Sequence, residues 1–102
     1  MIVENLTPEI ELVKEGETWV IKLGTVKKGT SHSFKYLIKD ITHRGNAVSC
    51  GGCTKADGKQ VGSDVELDII FSANSKGNVS KTAKELTTDG QEIVFKIEGK
   101  II

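Results

Sequence analysis

The sequence predicts an all-β protein, an antiparallel β-sandwich of about seven short strands. Three observations lead to this prediction. Val and Ile together number 20 against 6 Leu and 4 Ala, and β-branched side chains fit a pleated sheet better than a helix. Apolar and polar residues alternate in several segments, which is the period of a half-buried strand. Turn residues recur roughly every 8–12 residues, as expected for a sandwich.

Seven segments carry the strand pattern. The clearest runs from Asp64 to Phe71, where the apolar residues Val65, Leu67, Ile69 and Phe71 alternate with Glu66, Asp68 and Ile70. The segment 81–86 has a helix-forming composition, but it is short and lies between two turns, so a strand is predicted there as well. The predicted strands are residues 9–14, 18–26, 31–39, 47–49, 64–71, 79–86 and 91–101.

Two other segments are predicted to contain no strand. Residues 1–8 are expected to form a short N-terminal arm that ends at Pro8, and the sandwich domain then occupies residues 9–102. Residues 55–63 are polar and contain two glycines, which is typical of a loop. A chain of 102 residues has room for one small domain and one core.

The charge balance argues against a nucleic acid or a membrane as the partner. Lys and Arg number 14, and Asp and Glu also number 14, so the formal net charge is zero. The adjacent Lys27 and Lys28 are too few for a nucleic-acid-binding stripe. No apolar stretch approaches the ~20 residues that span a bilayer. The first residues lack the basic and apolar regions of a signal peptide, so no export leader is expected.

Three motifs follow one another in a recognisable order. They are a strand that ends in Gly-x-Val at residues 23–26, a Ser-Cys-Gly-Gly-Cys-Thr segment at 49–54 and a closing Ile-Glu-Gly-Lys-Ile at 97–101. In this order they resemble the immunoglobulin-like bacterial domains of unknown function related to the ASH group. The signature of that family is Ser-Cys-Gly-Cys-Thr, and this sequence has one additional glycine between the cysteines. The resemblance implies an immunoglobulin-like sandwich without known catalysis, found in secreted or envelope proteins.

The cysteine pair is the motif with the most chemistry. Cys50 and Cys53 are the only cysteines, and a structural zinc ion needs four ligands. The only further candidate ligands are His32 and His43, which do not have the spacing of a zinc finger, so a site of Cys50, Cys53 and His43 is not favoured. A redox role requires a helix N-terminus that activates the thiol, and none is predicted. The favoured interpretation is a tight turn with two thiols, reduced inside a cell or bridged outside. No metal and no cofactor are therefore expected.

No catalytic constellation emerges from the sequence. Neither His32 nor His43 shows a Ser-His-Asp order or a pair of carboxylates directed toward it, so we expect a protein that is not an enzyme. Asp64, Glu66 and Asp68 alternate along one strand. A Ca²⁺ loop needs irregular backbone with converging oxygens, so these acids are predicted to lie on a solvent-facing strand surface.

The leading functional prediction is a non-enzymatic structural or protein-binding module. More specifically, we expect an auxiliary protein that decorates the capsid or tail of a tailed bacteriophage, with a capsid or tail protein as its partner. Virions assemble in the host cytoplasm without export, and the arm at residues 1–8 would suit docking onto a repeated protein lattice. The oligomeric state of the free protein stays open. The alternatives are an envelope or adhesion domain whose export signal has been removed, and a metal-binding or redox module at Cys50 and Cys53.

Overall fold

In a computed structural model that describes all 102 residues, the chain forms two β-sheets packed face to face. The nine strands are β1 (Val3–Asn5), β2 (Glu11–Glu15), β3 (Thr18–Val26), β4 (Ser31–Ile38), β5 (His43–Val48), β6 (Thr54–Val61), β7 (Asp64–Ser72), β8 (Gly77–Thr87) and β9 (Glu92–Ile101). The first sheet has the order β1-β4-β7-β6 and the second has the order β2-β3-β9-β8-β5. The structure holds no helix that could span a bilayer.

The strand order is that of a constant-type immunoglobulin domain. In that fold, strands A, B, E and D form one sheet and strands C, F and G form the other. Here β1, β4, β7 and β6 occupy the positions of A, B, E and D, and β5, β8 and β9 occupy those of C, F and G. The hairpin β2–β3 is inserted between A and B, and β3 runs parallel to β9. The predicted immunoglobulin-like sandwich is therefore confirmed, with an added hairpin and one parallel pair.

The sequence pattern missed two strands, both at sheet edges. Val3–Asn5, assigned to the N-terminal arm 1–8, is β1 and pairs antiparallel with β4. Three residues are too few to show an alternating pattern. Most of residues 55–63, predicted as a loop, belong to β6 (Thr54–Val61), which pairs with β7 along its whole length. An edge strand buries few side chains, and Gly58 replaces one of the inward-facing ones, so the apolar period is absent.

The core lies between the two sheets, where β4 and β7 face β3 and β9. The predicted inward face of 64–71 is confirmed, because Val65, Leu67, Ile69 and Phe71 are all buried, while Ile70 points outward and is exposed. At the centre, the rings of Tyr36 and Phe95 stack across the sheets with their centroids 5.0 Å apart. This packing makes the sandwich a rigid support for the loops at its two ends.

The acidic side chains of β7 lie on the outer surface of the first sheet, as predicted. Lys35 Nζ lies 3.3 Å from Glu66 Oε1 and 3.7 Å from Asp68 Oδ1. The hydrogen bond to Glu66 is the main reason that the pKa of Lys35 is raised above its ordinary value. Asp64 is 3.7 Å from Lys39. These carboxylates are therefore neutralised by neighbouring lysines on an exposed surface.

The Tyr36 hydroxyl is buried and has no hydrogen-bond partner. Because a buried unpaired polar group costs about 1–3 kcal/mol, we expect Tyr36→Phe to raise the free energy of unfolding by about 1 kcal/mol. Burial also raises the pKa of Tyr36 above its ordinary range. The wild type should therefore lose stability above pH ~10, where this phenol ionises only in the unfolded chain, and the variant should not share that loss. Urea unfolding at neutral and alkaline pH measures both effects, and a less stable variant at neutral pH would contradict them.

Candidate functional site

Four chain segments meet at one end of the sandwich, which we call the disulfide end. They are residues 27–30, 49–53, 73–76 and 101–102. Backbone hydrogen bonds join them: the Gly29 N–H donates to the Ala73 oxygen at 2.8 Å, and the Ser72 N–H donates to the Cys53 oxygen at 2.7 Å. Gly29 has a φ of 90°, a conformation that favours glycine. The loops of this end are thus held as one surface.

Cys50 and Cys53 form a disulfide within the turn between β5 and β6. The backbone N–H groups of Cys53 and Thr54 both donate to the Cys50 oxygen, at 3.3 and 2.9 Å. Of the alternatives left open by the sequence, the structure therefore has the bridged form. Bridged sulfurs are not thiolates, so this pair does not offer the ligands that a zinc site needs.

Removing this disulfide should weaken the fold only moderately. Since the bridge closes a loop of very few residues, the chain-entropy relation gives it about 2 kcal/mol. We expect the double variant Cys50→Ser, Cys53→Ser to fold, with its free energy of unfolding lowered by up to about 2 kcal/mol. Denaturant titration of the variant, and of the wild type with and without reductant, measures the loss. A variant that does not fold at all would contradict this estimate.

A groove of about 340 Å³ opens beside the disulfide. Its apolar lining comes from the bridge itself and from Phe71, Val79 and Ile101 at the end of the core. Its rim is polar and consists of Ser72, Asn74, Ser75, Lys76, Asn78 and Lys81. An apolar floor with a polar rim is the anatomy of a pocket that receives a partner's protruding side chain.

The loops of the disulfide end and the strand residues next to them carry lysines and no acidic side chain, and the first acids beyond them are Asp57 in β6 and Glu98 in β9. Residues 26–32, 49–56, 72–83 and 99–102 contain no Asp or Glu. The lysines in these ranges are Lys27, Lys28, Lys55, Lys76, Lys81 and Lys100. None of the six takes part in an ion pair within the chain. Their charges are therefore free to act on a partner.

The opposite end of the sandwich, which we call the acidic end, has the reverse charge. Its loops comprise residues 15–18, 39–42, 61–64 and 87–92. They contain the acidic residues Glu15, Glu17, Asp40, Asp64, Asp89 and Glu92, and Lys39 is their only basic residue. The strands run between the two ends of a molecule 39 Å long. Glu15, Asp64 and Glu92 form ion pairs with lysines, whereas Glu17, Asp40 and Asp89 do not. The net charge of zero therefore conceals a separation between unpaired lysines at one end and unpaired acids at the other.

The remaining metal candidate, His43, belongs to a different cluster. It begins β5, whereas Cys50 follows the end of that strand, about 17 Å away at ~3.3 Å per residue. His43 Nδ1 lies 2.6 Å from Oε2 of Glu85, whose side chain is fully buried. Asn46 donates to the other carboxylate oxygen of Glu85 at 2.8 Å and accepts from the Gly58 N–H at 2.8 Å. This polar cluster joins β5 and β8 of one sheet to β6 of the other.

The structure does not assemble the residues singled out as candidates for metal binding or catalysis. No group of three or more His, Cys, Asp or Glu side chains is placed to hold a metal ion. His32 Nε2 lies 2.8 Å from the Thr30 hydroxyl, near the disulfide end and away from any carboxylate. Sequence reasoning missed the buried Glu85. The sequence could have revealed it, because every second residue of a strand faces the same side, and Glu85 therefore shares the inward face of β8 with Val79 and Ala83.

Comparison with known proteins agrees with the fold. No protein-family profile matches the sequence, and no curated protein matches it. One structural neighbour is a part of the Bacteroides ovatus GH5 xyloglucanase, solved with a XXXG heptasaccharide: 13% identity and a TM-score of 0.52 over 91% of this chain. This chain spans 19% of that enzyme. Another is the BIgI domain of the beta protein of S. agalactiae, solved bound to CEACAM1: 17% identity and a TM-score of 0.45 over 91% of this chain and 98% of that one.

The strand topology and the sandwich core define this chain as an immunoglobulin-like domain. At 13% identity, the likeness to the xyloglucanase segment concerns the fold alone. The relationship to the ASH group and the role of the cysteine signature stay predictions.

Proposed function

We propose that this protein is a non-enzymatic protein-binding module that docks through its disulfide end. The proposal rests on the six lysines at and beside this end, none of which forms an ion pair within the chain. Charged groups of one sign steer a partner of the opposite sign and suppress wrong partners. The proposed partner therefore presents Asp and Glu side chains to this end.

The groove beside the disulfide supports the same surface. Its apolar floor of Phe71, Val79 and Ile101 can hold one apolar side chain of the partner, while the rim lysines Lys76 and Lys81 contact the surrounding acids. Ile102 adds an exposed apolar side chain at the same end, 52% accessible to solvent. A buried anchor within a charged rim is the usual arrangement of a specific interface.

Two of the four sheet edges, those at β5 and β6, are less suited to docking by strand addition. At the β5 and β6 edges, side chains occupy the exposed backbone groups: the Gln60 side chain accepts from the His43 N–H at 2.7 Å and donates to the Ile41 oxygen at 3.0 Å. The Asn46 side-chain oxygen likewise accepts a hydrogen bond from the Gly58 N–H. Blocked edges of this kind protect a sandwich from pairing with another chain. The end of the sandwich is therefore the favoured docking surface.

The finer proposal remains an auxiliary virion protein of a tailed bacteriophage, with a capsid or tail protein as the partner. The disulfide is compatible with it, since bridges persist in oxidising surroundings such as a virion surface. The N-terminal arm no longer supports it, because Val3–Asn5 is part of a sheet. In this proposal the disulfide end, rather than residues 1–8, contacts the capsid or tail protein.

The disulfide also favours the alternative, an envelope or adhesion-type interaction domain that works outside the cytoplasm. The two proposals share the docking surface and differ in the partner. The metal-binding module is not favoured, because bridged sulfurs are not thiolate ligands and His43 lies at the far end of β5. The redox module is not favoured, because the elements on both sides of the pair are strands and no helix N-terminus activates a thiol.

Affinity capture from the native source, followed by an amine-reactive crosslinker and mass spectrometry, tests the proposal. We expect capsid or tail proteins with crosslinks through Lys27, Lys28 or Lys76, and recovery that nuclease treatment does not reduce. Envelope proteins crosslinked at the same lysines would replace the virion by the alternative. Crosslinks confined to lysines outside the disulfide end, or capture that nuclease abolishes, would overturn the docking surface or the protein partner.

A further inference from the structure

We infer that a second copy of this chain docks on the disulfide end through its own acidic end, so that copies associate head to tail. The inference rests on the proposed function, because it uses the same docking surface and names one partner for it. In a row of such copies the terminal disulfide end stays free. A heterologous partner can bind there without competing with the contact between copies.

The acidic end carries charges that the chain does not neutralise itself. Glu15, Asp64 and Glu92 lie within 4 Å of lysines of the same chain. Glu17 and Asp89 have no such partner, and hydrogen bonds from the side chains of Thr87 and Gln91 hold the pKa of Asp89 below its ordinary value. Asp89 is therefore ionised at neutral pH and available to a lysine of a second copy.

The two ends also complement each other in their apolar side chains. Met1 and Ile2 at the acidic end are 57% and 65% exposed and lie beside Asp40. At the disulfide end, the groove of about 340 Å³ offers an apolar floor. A methionine side chain is flexible and fits irregular apolar gaps. Met1 or Ile2 is accordingly the anchor that we assign to the groove of the next copy.

Charge excludes the symmetric alternatives. Two copies that met through their disulfide ends would bring twelve lysines together without a carboxylate side chain, since each copy contributes six. Two acidic ends would repel each other for the same reason. Only the head-to-tail arrangement pairs opposite charges, and such a heterologous contact leads to open rows or to rings rather than to a closed dimer.

The size of the ends sets the strength of the contact. A cross-section of 24 × 23 Å limits each end to about 550 Å², or about 1,100 Å² for both partners, at the small end of the range for protein interfaces. Much of the attraction is between exposed charges, which salt screens. Association between copies should therefore be weak and should depend strongly on ionic strength.

Two charge-reversal variants test the inference. The first, Lys28→Glu with Lys76→Glu, lowers the side-chain charge of the disulfide end from +6 to +2. The second, Glu15→Lys with Glu17→Lys, lowers that of the acidic end from −5 to −1, so each variant removes most of the attraction between unlike ends. Sedimentation equilibrium at about 20 mM salt, where charges act over about 20 Å, should show the wild type above its monomer mass of 11.0 kDa. At about 0.5 M salt, where screening is nearly complete, it should return to the monomer mass.

Each variant alone should remain monomeric at low salt, and an equimolar mixture should form complexes of at least twice the monomer mass. Circular dichroism establishes that both variants fold. A wild type that is monomeric at low salt, variants that associate as the wild type does, or a mixture that stays monomeric would overturn the inference. Capture of a heterologous protein with crosslinks at the disulfide end would in each of those cases leave the proposed function standing. Self-association without any captured partner would support the inference and would remove the proposed capsid, tail or envelope partner.

Discussion

Replacing His43 by alanine is expected to lower the free energy of unfolding by about 3 kcal/mol. The reason is the Glu85 carboxylate, which is fully buried and has only His43 and Asn46 as side-chain partners. Removing one partner of a buried pair leaves an uncompensated charge in the core. This loss is at the lower end of the range for breaking a buried ion pair. The His43 side chain is 26% exposed, so water can enter the space that it leaves and solvate Glu85. Urea unfolding at neutral pH measures the change.

Two further variants separate the buried pair from histidine loss in general. His32→Ala removes a histidine whose ring forms one hydrogen bond, to the Thr30 hydroxyl, and should change the free energy of unfolding by less than about 0.5 kcal/mol. Adding Glu85→Gln to His43→Ala removes the stranded charge and should recover part of the loss. If His43→Ala were as stable as His32→Ala, the buried pair would not stabilise the fold.

Replacing Gly99 by alanine is expected to cost about 3 kcal/mol, at the upper end of the range for overpacking. A Cβ at this position would lie 2.6 Å from the Gly24 carbonyl oxygen and 3.0 Å from the Leu23 Cβ on the adjacent strand. Backbone atoms of a paired strand cannot move alone, so the parallel pairing of β3 with β9 must open. That pairing continues to Ile101 in the lining of the groove, and the disulfide end should be disturbed as well.

Gly51→Ala is the matched control for this prediction. Gly51 lies in the disulfide turn, has no atom within 4 Å of its Cβ position and does not adopt a positive φ. Its replacement should change the free energy of unfolding by less than about 0.5 kcal/mol. Thermal and urea unfolding of both variants give the comparison. Equal stability of the two variants would show that the close approach of β3 and β9 does not constrain position 99.

The strands that sequence could predict are those with one buried and one exposed face. The burial of residues 64–71 alternates along the strand because every second side chain enters the core. The missed strands, β1 and β6, lie at edges where burial is partial, and their existence follows from pairing with β4 and β7 rather than from their own pattern. The hairpin β2–β3 was predicted, but its parallel pairing with β9 depends on contacts distant in sequence.

The candidate site was only partly visible in the sequence. The cysteine motif marked the turn at residues 50–53, but spacing alone left its oxidation state open. The lysines of the disulfide end are dispersed from Lys27 to Lys100, and a count of total charge cancels them against distant acids. The lysines come together because every second loop of the sandwich lies at the same end. Topology therefore had to be known before the separation of charge could be seen.

The central claim is that the lysines of the disulfide end bind the protein's partner. The most direct measurement compares affinity capture by Lys28→Glu, Lys76→Glu with capture by Lys14→Glu, Lys59→Glu, since both variants change the net charge equally and only the first alters the disulfide end. We expect the first variant to lose the partner that the wild type recovers and the second variant to retain it. Equal recovery by both variants, or loss confined to the second, would contradict it.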